Sequence, residues 1–270
     1  MLQERSYEYI RKYICSFLFC EKNVKTLSIL LKFDIILLQN TNIKNKKRDN
    51  KMNTNILGMI LSIIYIGAVI GGSGLVAKKY SNEASRKFIH ILLGNWWLIA
   101  MFFFDSTLWA AILPTVFIVI NYLSYKFNLI KSMERDGGEN KDSLGTVFYA
   151  VSLLVLVIFT FGVIKNPWIG LCGVFTMAYG DGFSAIFGKR FKSKQFKIFG
   201  STKSIIGSTT MFVITLVIHL IYFGVIGTEF FIIKAIVIAI AATVMEAVSI
   251  KGTDNIIVPI ITALIDCILV

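Results

Sequence analysis

The sequence predicts an all-α fold, a polytopic transmembrane helical bundle of about eight spans, and three observations carry that prediction. The chain of 270 residues is 56% hydrophobic and only 16% charged, against about 25% charged in soluble domains. Its mean hydropathy is +0.71. Several apolar runs reach the ~20 residues that a helix needs to cross the hydrocarbon core. The class follows from composition and run length before any motif is considered.

The runs fall at roughly 54–77, 88–104, 107–123, 146–164, 167–187, 204–226, 230–249 and 255–270. The fifth is interrupted by Gly180, Asp181 and Gly182. No internal repeat or low-complexity linker separates them. Eight spans place the connections 78–87, 124–145, 188–203 and 250–254 on one face, and these hold fifteen Lys and Arg. The opposite connections hold only Lys165 and Lys234. The positive-inside rule makes the basic face cytoplasmic. The net charge of +12 is therefore read as loop charge, and nucleic acid is not expected as a partner.

Residues 1–51 carry 11 Lys and Arg on what would be the outer face, against that rule. Their best apolar run, Leu27 to Leu38, is short and holds Lys32 and Asp34. It has neither the long apolar core nor the small-residue cleavage site of a signal peptide. The expectation is an N-terminal extension over 1–51, with a native start at Met52, followed by an integral membrane domain over 52–270. Of the cysteines, Cys15, Cys20, Cys172 and Cys267 form no CxxC pair, and spacing shows no His/Cys metal cluster.

Ionisable groups near a bilayer core are costly and usually functional. Four groups map to the basic face. They are Arg86-Lys87-x-x-His90; the loop with Asp136, Gly137, Gly138, Glu139, Asp142, Ser143 and Gly145; Asp181-x₃-Ala185-x₂-Gly188-Lys189-Arg190, continuing to Lys203-Ser204-x₂-Gly207-Ser208; and Glu246-x₇-Asp254-Asn255-x₃-Pro259. Arg86 and Lys87 also suit snorkelling anchors, and the loop also suits a solvated linker. Asp181 stands apart, because it lies in an apolar run with no evident partner nearby in sequence.

On a helix, Asp181, Ala185 and Gly188 share one face. Small side chains there admit another backbone or a flat ligand. The Gly/Ser/Thr-rich stretch before the next span offers backbone N–H groups suited to phosphate. One carboxylate beside such a loop is a seat for Mg²⁺, which takes one or two carboxylates plus phosphate and water oxygens. Gly180-Asp-Gly182-Phe-Ser-Ala185 matches a dinucleotide fingerprint, but a membrane span precedes it where a strand is required. Walker, zincin and nucleophile-elbow motifs are absent from the sequence.

The four motifs, in this order and over about residues 80–260, resemble the CTP-dependent lipid-alcohol kinases: dolichol, phytol and yeast-type diacylglycerol kinases. These are related to the membrane phosphatidate cytidylyltransferases. In that family the third motif usually reads Lys-Ser-x-Glu-Gly-Ser, whereas Ile205 and Ile206 fill the middle here. The resemblance implies functional positions at Arg86, Lys87, Asp181 and Gly188. It implies transfer of the γ-phosphate of CTP to the hydroxyl of a membrane lipid alcohol.

In that scheme Asp181 holds Mg²⁺ with Asp254 or Glu246. Gly188, Lys189, Arg190, Lys203, Ser204, Gly207 and Ser208 hold the nucleotide. Arg86 and Lys87 meet phosphate or the lipid head, with His90 and Asn255 nearby. The base is Glu246 or Asp181. The alternatives are a phosphatidate cytidylyltransferase, which attacks the α-phosphate, and a transporter or non-catalytic membrane protein.

Overall fold

The structure is a computed structural model that describes residues 51–127, 144–199, 201–250 and 252–270. The extension over 1–50 and the loop acids Asp136, Glu139 and Asp142, with Gly137, Gly138 and Ser143, lie outside the described residues.

The elements run as follows. Helix α1 spans Lys51–Lys79, α2 Asn82–Gly94, α3 Trp96–Phe103 and α4 Thr107–Phe127. Helix α5 spans Gly145–Val157 and continues as a π turn to Val163. Helix α6, Pro167–Phe175, runs through a π turn, Thr176–Asp181, into α7, Gly182–Arg190. A hairpin of β1, Gln195–Ile198, and β2, Ser201–Ser204, leads to α8, Ile205–Ile226. Helices α9, Phe231–Val248, and α10, Asp254–Leu269, complete the bundle.

Among the described residues, six helices are long and apolar enough to cross a membrane: Thr54–Lys79, Thr107–Phe127, Gly145–Val163, Pro167–Arg190, Ile205–Ile226 and Phe231–Val248. The two further spans expected from the sequence are helical but shorter. The first is divided between α2 and α3 at Asn95, which sits at the end of one helix and the start of the next. The last, α10, has 16 residues.

The fifth span is not broken at Gly180–Gly182. It passes through as a π turn, with its i→i+5 hydrogen-bond register. The stretch before α8 is not an irregular loop either. It is a two-stranded antiparallel hairpin pairing Gln195 with Ser204 and Ile198 with Ser201. Ser204 then caps α8, its Oγ accepting from Gly207 N–H at 3.1 Å. Such a cap satisfies one of the free N–H groups at a helix start.

Large apolar side chains fill the centre, with Trp97, Leu156, Val157, Met177 and Phe223 almost wholly buried. Polar handles on these side chains are met. Trp97 Nε1 donates to the Pro167 carbonyl at 3.0 Å, and Trp96 Nε1 donates to Ser62 Oγ at 3.0 Å. Asn55 and Asp105 bond reciprocally, at 2.9 and 3.1 Å, between the start of α1 and the α3–α4 turn.

Glycines set the closest approaches. A Cβ on Gly94 falls 2.5 Å from Ala178 Cβ, and one on Gly173 falls 2.6 Å from the Pro259 carbonyl oxygen. Small residues let membrane helices pack at backbone distance.

A Cβ on Gly170 falls 2.1 Å from Trp97 Cζ2. Gly170→Ala is expected to lower stability by about 1–3 kcal/mol through overpacking. Gly67 has nothing within 4 Å of its Cβ position, so Gly67→Ala should leave stability unchanged or raise it slightly. Thermal unfolding of both variants in the same detergent checks the pair.

Candidate active site

The π turn presents Asp181 inside the bundle. Asp181 is nine residues before the end of the span Pro167–Arg190, about 14 Å along the helix axis at 1.5 Å per residue. It is 6% exposed. It has a partner from another helix: Lys87 Nζ on α2 donates to Asp181 Oδ2 at 3.0 Å. Lys87 is itself 6% exposed, so it is no snorkelling anchor.

His90 lies one helical turn beyond Lys87. Its Nε2 is 3.1 Å from the Met177 carbonyl oxygen and 3.3 Å from Asp181 Oδ2. Both neighbours are acceptors, so Nε2 carries the hydrogen and Nδ1 is the nitrogen able to take a proton. The Tyr149 ring packs edge-on against the imidazole at 5.0 Å, and its hydroxyl donates to the His90 carbonyl.

Around this group stand Lys203, Glu246 and Asp254. Lys203 at the end of β2 hydrogen-bonds Glu246 on α9. The carboxylate that meets Lys203 is thus Glu246, while Ile206 occupies the motif position where an acid was expected. Asp181, Glu246 and Asp254 are close enough to feel one another's charge. They are hard oxygen donors of the kind Mg²⁺ takes, and such a site leaves most coordination to phosphate and water oxygens.

At the basic face, Arg86 donates to both Glu83 oxygens, at 2.9 and 2.8 Å. Lys189 reaches the same carboxylate at 3.1 Å. Burial pushes the Glu83 carboxyl up, but the bonds to Arg86 and the charge of Lys189 hold it at about 2. The latch between α2 and α7 therefore stays charged until the pH falls towards that value. Arg190 is exposed beside it.

Gly188 and Gly207 let α7 and α8 meet: a Cβ on Gly188 falls 2.6 Å from Ser204 Oγ and 3.4 Å from Gly207 Cα. The close partners of the Asp181–Ala185–Gly188 face at this point are the Ser204 hydroxyl and the Gly207 backbone. Ser208 Oγ is buried without a partner.

A second polar group was invisible in the spacing of the cysteines. Cys172, His219 and Asp266, all buried, bring their potential ligand atoms within 4.8 Å of one another. His219 Nε2 is 3.2 Å from Asp266 Oδ2, tying α8 to α10. His219 lies fifteen residues beyond Ser204, about 22 Å along the helix, so this cluster is remote from the hairpin end.

Sequence reasoning missed Asn121 and Tyr149. The signal for Asn121 was present, since a lone amide inside an apolar run must find partners within the bundle.

The helices and buried charges define a membrane protein with a polar, charged cluster inside its helical bundle. The relatives identify the class more closely. The phytol kinase of Synechocystis sp. is 34% identical over 219 residues, covering 76% of this chain and 88% of that protein. Phytol kinase 1 of Arabidopsis thaliana is 30% identical, covering 73% of each. The probable phytol kinase 1 of Oryza sativa is 31% identical, covering 71% of this chain and 66% of that protein. No protein-family model and no solved structure matches. The chain belongs to the phytol kinase family, which are lipid-alcohol kinases.

Breaking a buried ion pair from one side costs about 3–5 kcal/mol, because a bare charge remains. Lys87→Met is expected to lose about that much stability. Lys87→Met combined with Asp181→Asn removes both charges and should recover most of it. Chemical denaturation of the single and double variants measures the difference, and equal loss in both would refute the pairing.

Proposed function

We propose that the protein transfers the γ-phosphate of CTP to the hydroxyl of a membrane lipid alcohol of the phytol type, with Mg²⁺ bound at Asp181 and Asp254. The supporting observation is the buried Lys87–Asp181–His90 group, placed between an apolar bundle and a basic surface. Phosphoryl transfer rests on positioning and charge neutralisation rather than protein covalent chemistry. Asp181, Asp254 and Glu246 are the residues that would hold Mg²⁺, which would supply positive charge to offset that on the transferring group.

The protein's own groups then have distinct tasks. Lys203, Lys189 and Arg190 neutralise phosphate at the hairpin end. Ser208 Oγ, buried and unpartnered, donates to a phosphate oxygen, while Ser204, Gly207 and Gly188 hold the α7–α8 approach that frames it. Asp181 and Glu246 are each bonded to a lysine, which weakens both as bases.

His90 is the better base. Its Nε2–H is held by Met177 and Asp181, and Nδ1 takes the alcohol proton as the oxygen attacks the γ-phosphorus. The bond to the β-phosphate oxygen breaks and CDP leaves with the electron pair. In an eight-span reading with the basic loops cytoplasmic, this centre faces the cytoplasm.

The test uses detergent-purified full-length protein, γ-labelled CTP and a panel of phytol, polyprenol and diacylglycerol. Label should pass to a lipid alcohol with release of CDP, and EDTA should abolish it. A cytidylyl-lipid with pyrophosphate would overturn the kinase reading, and equal use of ATP would overturn the CTP preference. Asp181→Asn should lower turnover by about 10²–10³, as for loss of other electrostatic stabilisers; more than about a tenth of the rate remaining would exclude Asp181 from the centre. Single cysteines in place of Lys79 and Lys194 should label from the cytoplasmic side, and labelling of either from outside would reverse the orientation.

A further inference from the structure

A cleft opens beside His90, between α2, α4, α5 and the start of α10. Its polar lining includes Arg86, His90, Asn121, Tyr149 and Asn255. A second cavity adjoins it, with Leu93, Phe117, Asn121 and Tyr149 lining both. The second lobe continues along Ile66, Trp96, Leu113, Ala150 and Leu153. The space is therefore amphipathic, with one end at His90 and the other among aliphatic and aromatic side chains.

Two carboxamides mark the polar end. Asn121 Nδ2 on α4 donates to the Thr146 carbonyl at 3.0 Å, and Asn255 Nδ2 on α10 donates to the Gly145 carbonyl at 2.9 Å. Consecutive carbonyls at the start of α5 thus hold the two amides side by side. Each amide nitrogen is engaged, while both Oδ1 atoms are buried without a partner. The residues are 8% and 6% exposed. Leaving a buried acceptor unmet costs about 1–3 kcal/mol, and two at one cleft point to a ligand that brings a donor.

We propose that this cleft is the acceptor site, in which Asn121 and Asn255 position the hydroxyl of a single-chain lipid alcohol beside His90 while its hydrocarbon chain fills the lobe lined by Leu113, Phe117, Ala150 and Leu153. The proposal rests on the kinase reading above for the reaction, but not for the binding. A hydroxyl has one hydrogen, which either amide oxygen accepts on binding and which turns to His90 Nδ1 when transfer begins. Arg86 lies at the same mouth, where it meets the phosphate once transfer has occurred. One apolar lobe leads from this polar end, which favours a single-chain acceptor over a two-chain one such as diacylglycerol.

Two measurements test the site. The first is photolabelling of the full-length protein in detergent with a long-chain isoprenoid alcohol bearing a diazirine on its chain. Label is expected on α4 and α5 peptides containing Leu113, Phe117 or Leu153, and to be competed by unlabelled phytol but not by diacylglycerol. Label on other helices, or competition by diacylglycerol alone, would overturn the site whether or not the protein turns over.

The second is kinetic. Asn121→Leu keeps the branched shape but cannot accept a hydrogen bond, and should raise KM for the alcohol about fivefold, the worth of one such bond, with KM for the nucleotide unchanged. Ala150→Phe should abolish use of long-chain alcohols while a short isoprenoid alcohol is still phosphorylated. Equal shifts in both KM values, or loss of short and long acceptors alike in a variant that binds nucleotide normally, would assign these residues a structural role instead. A wild-type protein that binds the probe at this cleft but transfers no phosphate would refute the kinase reading and leave the site standing.

Discussion

The ion pair between Lys87 and Asp181 governs the centre of this molecule. A carboxylate about three turns inside an apolar helix is tolerated only with a partner. Meeting it requires α2 to lie against the π turn with its lysine directed inward. That placement carries His90, one turn further on, to the Met177 carbonyl. In the π turn, backbone bonding shifts register, and Met177 O accepts from the imidazole. The pair, the π turn and the histidine are thus one arrangement, in which loss of either charge leaves the other bare.

Close helix packing permits that arrangement. Gly94 against Ala178 brings α2 to the π turn, Gly180 meets Met211 of α8, and Gly182 meets Ile91 of α2. On either side of Asp181, residues without side chains let the Met211 and Ile91 side chains of neighbouring helices press against the α6–α7 backbone. The hairpin then brings Lys203 back over the end of α7, where Glu246 receives it. The basic surface, the buried charges and the amphipathic cleft follow one another from the loop end of the bundle inward.

Much of the site was legible because membrane burial makes charge conspicuous. Arg86, Lys87, His90, Asp181, Glu246 and Asp254 stood out as ionisable groups at span ends or within spans. The partner of Asp181 was not legible, because Lys87 is 94 residues away and also suits an ordinary membrane-edge anchor. Ala185 and Gly188 were read as room for a ligand or another backbone, and Gly188 meets the Ser204 hydroxyl and the Gly207 backbone. Asn121 was overlooked because one amide in a helical run carries little periodic signal. Its meaning depends on the Thr146 carbonyl that fixes it and on the cleft it faces.

The sequence by itself determined the helical class, the membrane-length runs, the uneven distribution of loop charge and the family motifs. Each depends on local composition or on spacing along one helix, and hydrophobicity and the 3.6-residue period act at that range. Tertiary structure decided which charge meets which, that Gly180–Gly182 bends the helix register rather than breaking it, and that Cys172, His219 and Asp266 converge. It also decided that two amides end beside one cavity with their oxygens unmet. These outcomes depend on which helices pack together. Among apolar helices in a lipid-like environment, small residues and a few polar contacts select the neighbour, and hydrophobicity alone does not.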